Sequence, residues 1–526
     1  MSKNIVTIMV KKGEVRMFSK IVSCSLQGIE SNIIHVEVDL ANALPSFNIV
    51  GLPDMEVKES KERVKASIVN SGFKFPSKRI IVNLAPSSIR KTGTHFDLPI
   101  AIGILYALNH IKEKKIHKYA MLGELSLDGK INPVHGVLPL VLGLKDKGIT
   151  KVILPHKNAD EAALVKDMEV RGFSKLNDVV DFLNKRIALS PHLSERQGEE
   201  LDSDIVYNDD FSDILGQDSA KRALQIAATG AHNILLVGPP GGGKTMLATR
   251  MPSILPTLTY DERLEIAKIY SIVGKLPQSK ILSMGRPFQS PHHSISLSGM
   301  VGGGNIPRPG EISLAHLGVL FLDEVPEFKR EVLEALRQPM EDESIAIVRV
   351  NATYRFPTKF ILIGSMNPCP CGYFGDDRHE CTCTMAEINR YHSKISGPFM
   401  DRMDMFIKIW PIEYDDLNGK RKVKSSKDMK NEIEIAREIQ KSRYKNSSIN
   451  YNSQLSPYLI KKYCKLNQES QALLKEAFEK MGLSTRAYYK IIKLSRTIAD
   501  IDNSEDIKTN HLAEALQYRN NAINIR

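Results

Sequence analysis

Cysteine is scarce, with six in 526 residues, too few for the disulfide framework of a small secreted scaffold. No stretch approaches the ~18 consecutive apolar residues that a membrane-spanning helix needs. The N-terminal segment MSKNIVTIMVKKGEVRMFSK has a short apolar patch, without the apolar core and small-residue cleavage site of a secretory leader. Internal repeats and extended low-complexity tracts are missing as well, which argues against a solenoid or a disordered chain. These absences predict a soluble, cytoplasmic protein with no membrane partner.

What is there is ordinary in bulk and uneven in detail. Hydrophobic residues at 42% and charged residues at 25% are globular values, and the length predicts roughly two to four domains. The net charge of +11 divides into surpluses of +9 over residues 1–190 and +7 over residues 411–526, with a deficit of −7 over residues 191–215. Basic ends suit a polyanionic partner such as nucleic acid. They equally suit solvated lysines, and charge alone does not choose.

Boundaries follow from the same unevenness. Residues 190–213 are acidic, polar and aperiodic, the signature of a linker. Before it, residues 1–189 alternate helical patterns with β-branched runs such as Arg79–Leu84 and Lys151–Pro155, predicting an α/β domain. Residues 214–412 form a second α/β block. A charged stretch then leads into a helix-rich region over 413–526.

The densest chemistry is the octapeptide Gly238, Pro239, Pro240, Gly241, Gly242, Gly243, Lys244 and Thr245, which fits G-x-x-x-x-G-K-[ST]. An apolar strand precedes it and a helix follows, the context a phosphate-binding loop requires. Glycines let backbone N–H groups curl around phosphate oxygens at a helix N-terminus. Lys244 is expected to reach the β- and γ-phosphates of ATP, and the Thr245 hydroxyl to ligand Mg²⁺. Downstream, GVLFLDEV (Gly318–Val325) is a buried-type strand ending in two carboxylates. Asp323 is assigned to the Mg²⁺ shell and Glu324 to polarising the attacking water. A third strand, Lys359–Pro368, ends at Asn367. An amide there suits orienting that water, and Asn before Pro suits a plain turn equally well.

Two further features have open readings. Cys369, Cys371, Cys381 and Cys383 form a C-x-C…C-x-C pair suited to a tetrahedral structural Zn²⁺, with four unliganded thiols as the alternative. ESIAIVRVNATYRF (Glu343–Phe356) reads as a hairpin whose Arg349 and Arg355 suit either pore contacts or a solvated surface.

RPFQSPHHSIS (Arg286–Ser296), PGEISLAHLGVLFLDEVPEF (Pro309–Phe328), NPCPCGYFGD (Asn367–Asp376), SGPFMDRMDM (Ser396–Met405) and STRAYYKIIKLSRTIAD (Ser484–Asp500) occur in that order. Together they resemble the magnesium-chelatase-like AAA+ ATPases of the YifB/ComM family, over nearly the whole chain. The resemblance implies a degenerate Lon-protease-like α+β domain, a central AAA+ P-loop α/β domain and a C-terminal helical lid. It implies that Asn367 is the sensor of nucleotide state, that Arg402 is the arginine finger for a neighbouring subunit, and that Arg486 is the second sensor arginine. It places Gly285–Gly310 as a loop-forming insertion before Asp323, with Gly302–Gly304 able to move. In the Lon-like part, His95 and Leu138 stand where Lon proteases carry the nucleophilic serine and its lysine, so peptide hydrolysis has no activated nucleophile.

Two functions compete on this reading. One is a homo-hexameric DNA motor, helicase-like, acting on single-stranded or branched DNA. It would drive branch migration in homologous recombination and natural transformation, with recombination proteins as possible partners. The other is a chaperone-like ATPase, either a metal-insertion subunit or an unfoldase serving a protease.

Overall fold

Strand Glu30–Ala41 alternates Ile34, Val36, Val38 and Leu40 inward with Ser31, His35, Glu37 and Asp39 between them. That period of two predicts one face on a core and one facing outward. In the computed structural model it lies inside a seven-stranded mixed sheet. The model describes residues 17–192, 207, 209–277, 284–349, 352–411, 423–447 and 449–523. The sheet runs in the order Ser46–Val50, Arg79–Ala85, Glu30–Ala41, Met17–Gln27, Tyr119–Met121, Lys151–Pro155, Glu169–Phe173. Glu30–Ala41 pairs antiparallel on both sides, and Tyr119–Met121 onward is parallel. Helix Asp97–Ala107 is buried along almost its whole length, as expected of a helix apolar all round. This sheet belongs to a first unit of Met1–Glu199 with Ala267–Ile281 and Val348–Tyr354, and the remaining residues form a second. Most of the acidic stretch read as a linker lies outside the described residues.

The second unit is built on a five-stranded parallel sheet. Its strands, numbered here within the unit, are β1 (Ile234–Val237), β2 (Phe288–Gln289), β3 (Gly318–Leu322), β4 (Phe360–Met366) and β5 (Met405–Lys408). Their spatial order is β2-β3-β4-β1-β5, with every recorded pairing parallel. A parallel sheet is covered on both faces, so its strands read as continuous apolar runs, and β1 and β3 are fully buried. Ile234, Leu236, Val319 and Phe321 face one core, shared with helix Asp218–Gly230 and the C-terminal helices. Leu235, Val237, Leu320 and Leu322 face the other.

The C-terminal region folds as helices at Ser426–Arg443, Pro457–Tyr463, Gln468–Met481, Thr485–Ile501 and Thr509–Ile523. Ser425 and Asp428 make a reciprocal capping box at the first of them, satisfying two otherwise orphaned N–H groups. Asp404 fastens this helical layer to the sheet. It accepts from the Asn233 amide at 3.0 Å and pairs with Lys490 at 2.8 Å. Burial by itself would raise its carboxyl, but Lys490 and His232 outweigh that and hold it far below the usual carboxylate range.

The insertion before Asp323 contains a short antiparallel pair, Gly302↔Pro309 and Gly303↔Arg308. A Cβ on Gly302 would meet the Arg308 carbonyl at 2.4 Å, so the glycine is set by close backbone approach as well as by freedom to turn. Ser344–Arg349 and Ala352–Pro357 form the expected hairpin; its tip, residues 350 and 351, lies outside the described residues.

Candidate nucleotide-binding site

The site forms where β1, β3 and β4 end. In an open parallel sheet the carboxyl ends of the strands are where ligands bind, because the connecting loops diverge there. β1 runs directly into the loop 238–243, and helix Lys244–Thr249 begins at its end. Gly241 and Gly243 have φ of +75° and +84°, values that β-carbon-bearing residues adopt only with strain. No atom lies within 4 Å of where a Cβ would stand on either, so their backbone borders open space wide enough for a ligand.

Lys244 curls over this loop. Its Nζ donates to the Gly238 carbonyl at 2.8 Å, the Pro239 carbonyl at 2.9 Å and Asn367 Oδ1 at 3.1 Å. Burial lowers its pKa, and the charges of Asp323 and Glu324 oppose that. A charged phosphate oxygen is a stronger acceptor for such an ammonium than these neutral carbonyls.

Thr245 Oγ1 stands 3.1 Å from Asp323 Oδ2. Two oxygen ligands of one Mg²⁺, each bound at about 2.1 Å, lie about 3 Å apart along an octahedral edge, so this pair fits the ion. The other Asp323 oxygen accepts from Ser365 Oγ and from the Glu324 amide. Ser365 is a residue that sequence reading missed. Its signal was its position on β4, two residues before Asn367, which puts it on the same edge facing β3.

Glu324 adopts a left-handed backbone, φ +53° and ψ +52°. Such a conformation in a non-glycine residue is uncommon and clusters at functional sites. It turns the chain sharply after Asp323. Glu324 Oε2 lies 3.8 Å from Nδ1 of His293. That histidine follows β2 and stacks on His292 with ring centroids 4.0 Å apart.

Lys244, Thr245, Asp323, Glu324 and Asn367 thus converge. Arg402 and Arg486 do not join them. Both line a cavity of about 490 Å³ together with Asn233, Gly318, Phe360 and Asp404, which stand at the opposite, amino-terminal ends of the strands. β1 alone spans about 13 Å at ~3.3 Å per residue, and it separates Asn233, in the lining of that cavity, from the phosphate loop. Arg402 is held by the Arg337 carbonyl at 3.2 Å, the Pro398 carbonyl at 2.8 Å and Glu341 at 2.7 Å.

The four clustered cysteines do converge. Their sulfurs all lie within 4.8 Å of one another, three of the separations being 3.3, 3.6 and 3.5 Å. All four are free thiols. Zn–S bonds of about 2.3 Å imply sulfurs about 3.8 Å apart, so the set fits a tetrahedral ion.

In the first unit, His95 is buried and its Nε2 lies 2.8 Å from the Cys24 carbonyl. Burial pushes its pKa down to about 4, leaving a neutral imidazole. Leu138 is fully buried in a helix.

Comparison with known proteins agrees with this geometry. The family model for magnesium chelatase, subunit ChlI, matches residues 210–417, a model for the ChlI subunit of Mg-chelatase matches 36–158, and the ChlI C-terminal model matches 423–519. Competence protein ComM of Haemophilus influenzae is 43% identical over 495 residues, 94% of this chain and 95% of that protein. YifB of Escherichia coli is 41% identical with the same coverage. Lon protease 2 of Bacillus subtilis is 30% identical over 150 residues, 26% of each chain. Among the described residues no helix is long and apolar enough to cross a membrane. A phosphate loop facing an Asp-Glu strand end, matched across nearly the full length of two relatives, makes this chain a member of the ComM/YifB family of magnesium-chelatase-like AAA+ ATPases.

Proposed function

We propose that this protein is an ATP-driven ring motor, a homo-hexamer that moves branched DNA junctions during homologous recombination and DNA uptake. The observation that carries the reading is the split between the phosphate loop at the carboxyl ends of the strands and Arg402 with Arg486 by their amino-terminal ends. A single subunit then holds half of two sites. Closing a ring brings one subunit's arginines to the next subunit's phosphates, which makes hydrolysis conditional on assembly.

Within the site, Mg²⁺ and ATP supply a metal-neutralised, transferable γ-phosphoryl group. Thr245 and Asp323 hold the ion, and Ser365 fixes the Asp323 carboxylate. Lys244 binds phosphate oxygens. Asn367, already bonded to Lys244, orients the nucleophilic water, and Glu324 accepts its proton. Arg402 and Arg486 of the adjacent copy stabilise the charge on the transferring group.

The DNA assignment is supported by the basic surpluses at both ends of a chain of net charge +11 and by the relative's name, competence protein. ATPase rate measured without DNA, with single strands, with duplex and with a four-way junction tests it. Stimulation greatest on the junction, with affinity falling steeply as salt rises, is the expected result. Equal rates in all four and no salt-sensitive binding would transfer the activity to remodelling of a protein substrate.

The Lon-like unit serves binding or assembly. With a buried neutral His95 and an aliphatic Leu138 at the positions of nucleophile and base, the pure protein should cleave no peptide bond, with or without ATP. Release of fragments from an unfolded substrate such as casein, blocked by Lys244→Ala, would overturn this.

A further inference from the structure

The four-cysteine loop leaves the sheet at the residue that touches Lys244 and returns to press on the phosphate loop. Cys369 follows Asn367 by two residues and is fully buried. Between them, the Pro368 carbonyl lies 2.8 Å from His392 Nε2 on helix Met385–Ser393. At Gly372 the backbone has φ +92°, and a Cβ there would stand 2.6 Å from Cδ of Pro240. Only glycine allows the loop to lie so close to the ring of a phosphate-loop residue. Two backbone amides point at sulfur, Cys371 N–H to Cys383 Sγ and Phe374 N–H to Cys369 Sγ, each at 3.3 Å. Amide donors of this kind stabilise thiolates and orient them for a metal.

We propose that Cys369, Cys371, Cys381 and Cys383 bind one Zn²⁺, and that the filled site braces the nucleotide site by fixing Pro240 and Asn367 together. Four sulfurs this close repel one another once ionised, so a divalent cation is what lets the loop hold its shape as four thiolates. With the ion in place, the segment Cys369–Gly372 is a short rigid strut between the Asn367 strand end and the Pro240 ring. Without it, the strut loses two of its anchors, and both the phosphate loop and the Lys244–Asn367 contact lose their backing. Metal occupancy thereby sets nucleotide affinity. The second half of the proposal rests on the nucleotide reading of the site.

The chain carries its own reporter. Trp410 is the single tryptophan, and its ring comes within 3.7 Å of where a Cβ on Gly375 would stand. It shares a cavity of about 100 Å³ with Gly238, Pro368 and Phe374, so its emission senses both loops. Full-length protein purified without chelator should contain about one zinc per chain by elemental analysis. Chelation should shift Trp410 emission and weaken binding of a fluorescent ATP analogue by about tenfold or more, and added zinc should restore both. The double variant Cys381→Ser/Cys383→Ser, which leaves Cys369, Cys371 and Gly372 unaltered, should lose the zinc and show the same weakening with its far-UV circular dichroism unchanged. Gly372→Ala should keep the zinc yet weaken the nucleotide.

Absence of zinc from the chelator-free protein, or iron in its place, would overturn the metal assignment. Zinc removed with no change in Trp410 emission or analogue affinity would overturn the brace. Zinc-dependent Trp410 emission in a protein that binds no nucleotide would uphold the metal strut and defeat the nucleotide reading alone. Should the double variant fail to fold, the chelation and zinc-readdition series on the unaltered chain decides the same outcomes.

Discussion

ATP hydrolysis falls by about 10²–10⁴-fold in Glu324→Gln, while the nucleotide stays bound. Gln keeps the shape and a hydrogen-bonding oxygen but cannot take a proton from water. The separation of roles comes from the backbone. Thr245 and Ser365 hold Asp323, while Glu324, past its left-handed turn, has its carboxylate beside His293. Removing the Glu324 charge therefore leaves the ion-binding pair intact. Lys244→Ala behaves differently. The ammonium sits over the loop on three acceptors, Gly238, Pro239 and Asn367. Its loss removes the main counter-charge for the phosphates, so binding itself is abolished. Titration with a fluorescent ATP analogue and measurement of phosphate release separate the two variants. Near-normal turnover in Glu324→Gln would remove Glu324 from the chemistry.

Rings of Arg402→Ala subunits should assemble with ATP and bind DNA, yet hydrolyse about 10³-fold more slowly or worse, the usual loss for an arginine finger. They should not move a four-way junction. The decisive experiment mixes this variant with Glu324→Gln. Each is inactive alone, but at some interfaces of a mixed ring an intact glutamate faces an intact finger, and hydrolysis returns in part. No recovery across a range of ratios, with mixed rings confirmed by mass, would show that Arg402 does not act across the interface. The geometry supports recovery. Arg402 and Arg486 line the cavity by the amino-terminal strand ends, whereas the phosphate loop stands at the other end of β1, a strand of about 13 Å. On the proposed mechanism, the Glu341 and carbonyl contacts of Arg402 are the partners it would exchange for phosphate oxygens.

The phosphate loop, the Asp323-Glu324 strand end and the Asn367 strand were legible in sequence because each is local. Buried parallel strands are unbroken apolar runs, and polar chemistry at their ends stands out against them. The converging cysteines were legible for the same reason, as two C-x-C pairs on one short loop. Ser365 and His293 escaped notice because a lone Ser or His has no local signature. Ser365 acquires its role only when β4 pairs beside β3 and brings its hydroxyl to Asp323. His293 acquires its contact when β2 aligns on β3.

The sequence by itself determined the chemistry on offer: a glycine-rich loop able to take φ > 0, an ammonium, paired carboxylates and four thiols, each at a spacing fixed by covalent neighbours. Only the tertiary structure decided which groups meet. Parallel pairing in the order β2-β3-β4-β1-β5 set Lys244, Asp323 and Asn367 at the carboxyl ends of the strands and Arg402 with Arg486 by the amino-terminal ends. The folded-back cysteine loop put Gly372 against Pro240. Such pairings join residues far apart in the chain, and they depend on packing both faces of a sheet, a property of the whole core that no local spacing encodes.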